Sequence, residues 1–123
     1  PAMCLFDDGS DIELRHPALW RQGDVLHLFF SCTGDYPERI YYSQCGMHDD
    51  WARREFSRPQ VILSPELTWE GADLSLTTSV MGAANSRLCE LRDPGILVED
   101  GRAYLFYSGA GERAIGIAQL DGL

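Results

Sequence analysis

Two short elements of this 123-residue chain carry residue types able to do chemistry at a turn: Arg15-His16-Pro17 and Arg92-Asp93-Pro94. An aspartate fixed between an arginine and a proline can accept hydrogen bonds from ligand hydroxyls, or it can accept backbone N–H groups and simply shape the turn. His16, at the corresponding position of the other element, can hydrogen-bond a ligand or bind a water or metal, although a histidine alone rarely defines a site. Arg15 and Arg92 can orient a polar ligand, and pairing with an acid is the structural alternative. Glu90 lies two residues before Arg92, and Trp69 with Glu70 and Asp73 lies in the connection between the two elements. Trp20, Trp51 and Trp69 each present a large ring suited either to stacking on a ligand or to packing between structural units. His27 falls inside a strand pattern and reads as packed, whereas His48 reads as an exposed loop residue.

The two elements are parts of a longer repeat. Residues 14–20 followed by 28–31 match residues 91–97 followed by 105–108, with Arg15 and Arg92 standing 77 positions apart. After a two-residue gap, Ile40-Tyr-Tyr-Ser-Gln44 aligns with Ile115-Gly-Ile-Ala-Gln119. Residues 25–31, 39–43, 104–108 and 114–118 are short, rich in β-branched and aromatic residues and bounded by turn formers, so each is predicted as a strand. Several are apolar at consecutive positions, which predicts sheets covered on both faces. Gln22-Gly23-Asp24 and Glu99-Asp100-Gly101 supply hairpin turns. A fourth strand near residues 59–63 completes the first copy, and the second reaches Leu123 after three. No segment keeps a helical period for three turns.

Repeated antiparallel meanders are the sequence signature of β-propeller blades. The expected fold is therefore all-β: two four-stranded antiparallel meanders forming part of a five-bladed propeller. As a single partial domain over residues 1–123, it divides into a blade at 14–63, a long loop at 64–90 and a blade at 91–120. A connection as long as 64–90 is either functional or disordered. The last blade is expected to be completed by a strand from elsewhere, with Ala2-Met-Cys-Leu-Phe6 one source. Two isolated blades should expose apolar faces, so the remaining blades or self-association are the expected partners.

Residues 91–96 with 100–109 and 115–118 resemble the blades of five-bladed propeller glycoside hydrolases. That group contains the arabinanase and xylosidase family (family 43), the invertase family (family 32) and the mannoside phosphorylase family (family 130). The resemblance covers residues 14–63 and 91–120 and suits a C-terminal two-blade portion. It implies a central pocket in which carboxylates from different blades act on one glycosidic bond, one as proton donor and one as base or nucleophile. Arg92-Asp93-Pro94 matches the invertase-like element whose aspartate holds sugar hydroxyls and stabilises the transition state, so Asp93 is the expected catalytic residue. Arg92, His16, Arg15, Trp69 and Glu90 are expected to bind substrate. The invertase-like acid lies in a Glu-Cys pair, while this chain has Cys89-Glu90 in reverse order, so the acid role is not transferred to Glu90. The expected function is cleavage of oligo- or polysaccharide glycosidic bonds by the assembled propeller; the alternative is a non-catalytic carbohydrate-binding or scaffold propeller. An unrelated two-sheet sandwich is the third reading.

Charge and cysteine usage limit the partners. With 19 acidic against 10 basic residues, the formal charge of −9 disfavours nucleic acid and anionic membranes. No apolar run approaches transmembrane length. Cys4, Cys32, Cys45 and Cys89 lack metal-ligand spacing, so no metal is expected, and reduced packed thiols in a cytoplasmic protein are the favoured reading. No cofactor is expected within the chain, although the resemblance leaves room for calcium in the channel of an intact propeller.

Overall fold

A computed structural model describes residues 13–123. Cys4 and the segment from Ala2 to Phe6, a source of the closing strand, lie outside the described residues. The fold is all-β, with two antiparallel sheets. The first holds β1 (Glu13–Gln22), β2 (Val25–Thr33), β3 (Ile40–Gly46) and β4 (Gln60–Leu63) in that order, and the second holds β5 (Arg92–Glu99), β6 (Arg102–Gly109) and β7 (Ala114–Leu120). Each sequence copy thus folds into its own up-and-down sheet. The described second sheet has three strands, not the four of a full expected meander. Two 3-10 turns, Trp51–Arg53 and Thr68–Glu70, are the helical elements among the described residues, and no helix there is long and apolar enough to cross a membrane.

The duplicated local sequence produces duplicated backbone geometry. Pro17 and Pro94 have no N–H to donate to a ladder, which confines proline to strand edges and bulges. The registers accordingly slip between Arg15 and Ala18 in one sheet and between Arg92 and Gly95 in the other. Within these bulges His16 and Asp93 take positive φ angles of 53° and 52°. Histidine and aspartate are among the non-glycine residues enriched in that region, and a residue held there costs roughly 1–3 kcal/mol unless its surroundings compensate. The β5–β6 hairpin turns through Asp100 and Gly101, both with positive φ, as a tight two-residue turn requires.

The sheets pack against each other through Phe29, Ile40 and Tyr42 of the first and Leu91, Leu105 and Tyr107 at the second. On the other face of the first sheet, Leu28, Phe30 and Cys32 pack with Tyr41 and Phe56. Strand β2 is therefore buried from His27 to Thr33 on both faces, as its unbroken apolar run predicts. His27 sits between Trp20 and Tyr42, with ring centroids 4.6 and 5.8 Å away, and its Nδ1 lies 2.8 Å from the Tyr42 hydroxyl. His48 is exposed and its Nδ1 accepts the Asp50 N–H, as expected for a loop residue. Cys45 and Cys89 are buried thiols without a disulfide, and burial pushes both above the ordinary thiol range.

The connection over residues 64–90 packs against both sheets and ties them together. Glu70 is buried; its carboxylate accepts the N–H groups of Glu66 and Leu67 at 2.8 and 2.9 Å and the Tyr107 hydroxyl at 2.6 Å. Burial first, and then the bond to Glu70, push the Tyr107 phenol up. Trp69 stacks on Tyr107 with centroids 6.0 Å apart, and Gly109 and Gly116 leave the space its indole occupies. Farther along, Ser79 exchanges backbone hydrogen bonds with Gly34 and Asp35 in the β2–β3 turn, and the Ala84 N–H donates to Glu112 in the β6–β7 turn.

This packing is testable at two residues. A methyl group at Gly116 meets both Trp69 and Tyr107 at 2.5 Å, so Gly116→Ala is expected to lower stability by about 1–3 kcal/mol and to perturb Trp69 fluorescence. An unchanged urea midpoint contradicts the seating of Trp69. Burial lowers the His27 pKa, so the folded state resists a proton that the unfolded chain accepts near its ordinary value of 6.5. Stability is therefore lost as pH falls from that value toward the folded pKa, with a slope of at most about 1.4 kcal/mol per pH unit for this group. Urea titrations between pH 7.5 and 5.5 should show a shallower loss for His27→Gln than for the parent; equal slopes contradict the assignment.

Candidate functional site

The two bulges meet. His16 Nδ1 lies 2.6 Å from Asp93 Oδ1, so the variable residues of the two Arg-x-Pro elements form a pair across the sheets. This follows from β1 lying against β5. The second Asp93 oxygen accepts the Ser108 hydroxyl from β6 at 3.2 Å. Unlike the arginines beside them, His16 and Asp93 keep side-chain exposures of 47% and 35% and stay open to a ligand.

Beneath the pair is a buried ionic network. Arg15 donates its Nε and Nη2 to the two Glu38 oxygens at 2.9 and 2.7 Å. The same Glu38 Oε2 accepts the Ser79 hydroxyl at 2.5 Å and lies 3.2 Å from Arg92 Nε. Arg92 also donates Nε and Nη2 to Glu90 Oε2, and its Nη1 donates to the Gly82 carbonyl at 3.0 Å. The Leu91 N–H donates to the Glu38 carbonyl, so Glu38 holds the second copy through its backbone as well. Burial disfavours the Arg15 cation, but the hydrogen bonds and charge of Glu38 outweigh it and hold the guanidinium above its ordinary value. For Glu90, burial pushes the carboxyl up, and the Arg92 charge and hydrogen bonds pull partly back.

The residues expected to touch a ligand therefore separate into two layers. His16 and Asp93 are accessible. Arg92, Glu90 and Glu38 are 1%, 1% and 0% exposed and have their charges matched internally. Arg92 pairs with Glu38 of the neighbouring copy, and Arg15 pairs with the same acid from within its own copy. Trp20 stacks on His27, and Trp51 sits exposed in a 3-10 turn.

An open cleft of about 440 Å³ borders His16. Glu13, Leu14 and Arg15 of β1, Thr33 at the end of β2, Met81, Gly82 and Ala83 of the long connection, and Glu112 of the β6–β7 turn form the rest of its wall. Trp69 packs on Tyr107 and is not part of that wall. Glu38, Ser79, Thr33 and Glu112 had no signal in the sequence; Glu38, Thr33 and Glu112 lie in or beside turns and Ser79 lies in the long connection, all outside the repeated motif. No group of three or more potential metal ligands is gathered among the described residues. The arrangement can accept hydrogen bonds from a polar ligand at Asp93 and donate or accept them at His16, with the buried ionic network adjoining both through Arg15 and Arg92.

No protein-family model matches this chain, and no solved structure matches it. The uncharacterized protein R118 of Acanthamoeba polyphaga mimivirus is 38% identical over 114 residues, covering 92% of this chain and 32% of that protein. The chain thus spans about a third of the length of the curated relative it matches.

Proposed function

We propose that this chain forms two neighbouring blades of a five-bladed propeller of the glycoside hydrolase type, and that the His16–Asp93 pair faces the carbohydrate. The observation that carries this reading is the meeting of those two residues at 2.6 Å, each in a left-handed bulge at the matching position of its copy. Strained backbone at non-glycine residues clusters at ligand sites, and blades place their first strands together around a common pocket.

Three further features support it. Each copy is a separate meander, with its first strand toward the other copy's first strand. The face of the second sheet turned away from the shared core exposes Leu97, Ile115 and Ile117, with Tyr104 and Phe106 half-buried beside them. A face of this kind suits cover by a further blade. The mimivirus relative is about three times as long as the matched region, which leaves room for about two more segments of that length, enough for further blades.

In this reading Asp93 accepts substrate hydroxyls and stabilises positive charge developing on the sugar ring. Arg15, Arg92, Glu38 and Glu90 keep it in place and do not touch substrate. The proton donor and the base lie on other blades. The second reading, a non-catalytic carbohydrate-binding propeller, is favoured by one specific observation: Glu38 and Glu90 are both neutralised by guanidinium groups, and the position equivalent to Asp93 is His16.

A longer protein containing this chain should turn over at least one member of a panel of aryl glycosides and oligosaccharides, and Asp93→Asn should reduce kcat on the order of 100-fold with the fold intact. Saturable sugar binding with no turnover overturns the enzyme reading in favour of the binding module. Absence of both overturns the carbohydrate assignment.

A further inference from the structure

The three histidines of this chain present different nitrogens to their surroundings. His27 is buried, with Nδ1 on the Tyr42 hydroxyl. His48 is exposed, and because its Nδ1 accepts the Asp50 N–H, the proton of the neutral ring sits on Nε2. His16 is the reverse case. Its Nδ1 lies 2.6 Å from an Asp93 oxygen, and a carboxylate can only accept, so the proton sits on Nδ1 and the lone pair of the neutral ring on Nε2. With its side chain 47% exposed beside the open cleft, His16 offers a base to what enters.

Asp93 is itself held in place. Its second oxygen accepts the Ser108 hydroxyl from β6 at 3.2 Å, and its backbone is set by the left-handed bulge. Arg15 and Arg92, adjacent in sequence to His16 and Asp93, direct their guanidinium groups to Glu38, Glu90 and the Gly82 carbonyl. The Asp93 charge is thereby left to the imidazole. A carboxylate so placed fixes the tautomer and orientation of a histidine and stabilises the cation formed when Nε2 takes a proton.

We propose that His16 and Asp93 form an acid–base dyad in which His16 Nε2 removes a proton from a water molecule attacking an uncharged carboxylic ester. Breaking a glycosidic bond takes two carboxyl groups acting separately, whereas this carboxylate and imidazole act as one unit and move a single proton. Ester hydrolysis can proceed on one such group. As the water oxygen bonds to the acyl carbon, its proton passes to Nε2 and the carbonyl electron pair moves onto oxygen. When that pair returns, the bond to the alcohol oxygen breaks and the imidazolium gives its proton to that oxygen, so ester and water leave as acid and alcohol. Asp93 stays ionised throughout. His16 is the catalytic residue of this step and Asp93 positions it. The inference goes beyond the carbohydrate reading and does not need it, since that reading draws its proton donor and base from other blades.

The test follows release of p-nitrophenol from p-nitrophenyl acetate by the 123-residue chain at about pH 8, above the ordinary imidazole range. All ten basic residues are arginine, so no lysine amine competes for the ester. The parent is expected to exceed an equal concentration of free imidazole, His16→Gln and Asp93→Asn to lose at least about tenfold, and His48→Gln to match the parent. A spectroscopic readout needs no variant. Nitrogen NMR shifts of the imidazole rings in the parent should give His16 as the Nδ1–H tautomer and His48 as the Nε2–H tautomer. If a variant fails to fold, the parent's rate and tautomer decide. A rate no faster than imidazole, a folded His16→Gln or Asp93→Asn as fast as the parent, an equal loss in His48→Gln, or an Nε2–H tautomer at His16 each overturns the proposal.

Discussion

The carboxylate of Glu38 is the group on which the geometry of this molecule turns. It sits fully buried in the turn between β2 and β3, takes Arg15 from its own sheet, meets Arg92 from the other, and accepts Ser79 from the long connection. Three segments distant in sequence are thereby referred to one pair of oxygens. A buried ion pair is a weak source of net stability, because desolvation offsets the attraction, but removing one partner typically costs about 3–5 kcal/mol. The network acts chiefly by exclusion: with two guanidinium groups and two glutamates enclosed, only arrangements that match every charge are tolerated.

That constraint explains the exposed pair above it. Each arginine adjoins the left-handed residue of its own bulge, so fixing Arg15 and Arg92 on Glu38 also fixes the backbone at His16 and Asp93. The two strained residues are carried into contact by charges they do not themselves bear. The long connection reinforces the arrangement from the side, with Glu70 under Tyr107 and the Ala84 N–H on Glu112, so the cleft wall is built from the same clamp that joins the sheets.

Much of the fold is legible in the sequence. Alternating and continuous apolar runs mark the strands, the Gly23 and Asp100-Gly101 turns mark the hairpins, and the repeat divides the chain into two meanders. Arg-x-Pro is legible as a motif because proline forces the ladder to break where it stands. What the motif does not show is that His16 and Asp93 touch, since equivalence in a repeat does not say which edges of two sheets adjoin. Glu38 is invisible for a related reason: it lies in a turn, where no periodicity records which side chain points inward, and its partner Arg92 belongs to the other copy. Glu70 reads as one acid in a solvated loop, yet three donors around its carboxylate make burial tolerable.

If the two copies are locked through Glu38, the lock must appear as an energy shared between residues of different sheets. A double-mutant cycle of Glu38→Gln and Arg92→Met, read by urea unfolding, measures that energy directly. A lock of this kind predicts a coupling of at least about 1 kcal/mol, as for groups in one buried network. Additivity to within about 0.3 kcal/mol contradicts it, and leaves Asp93 positioned by something other than the buried charges beneath it.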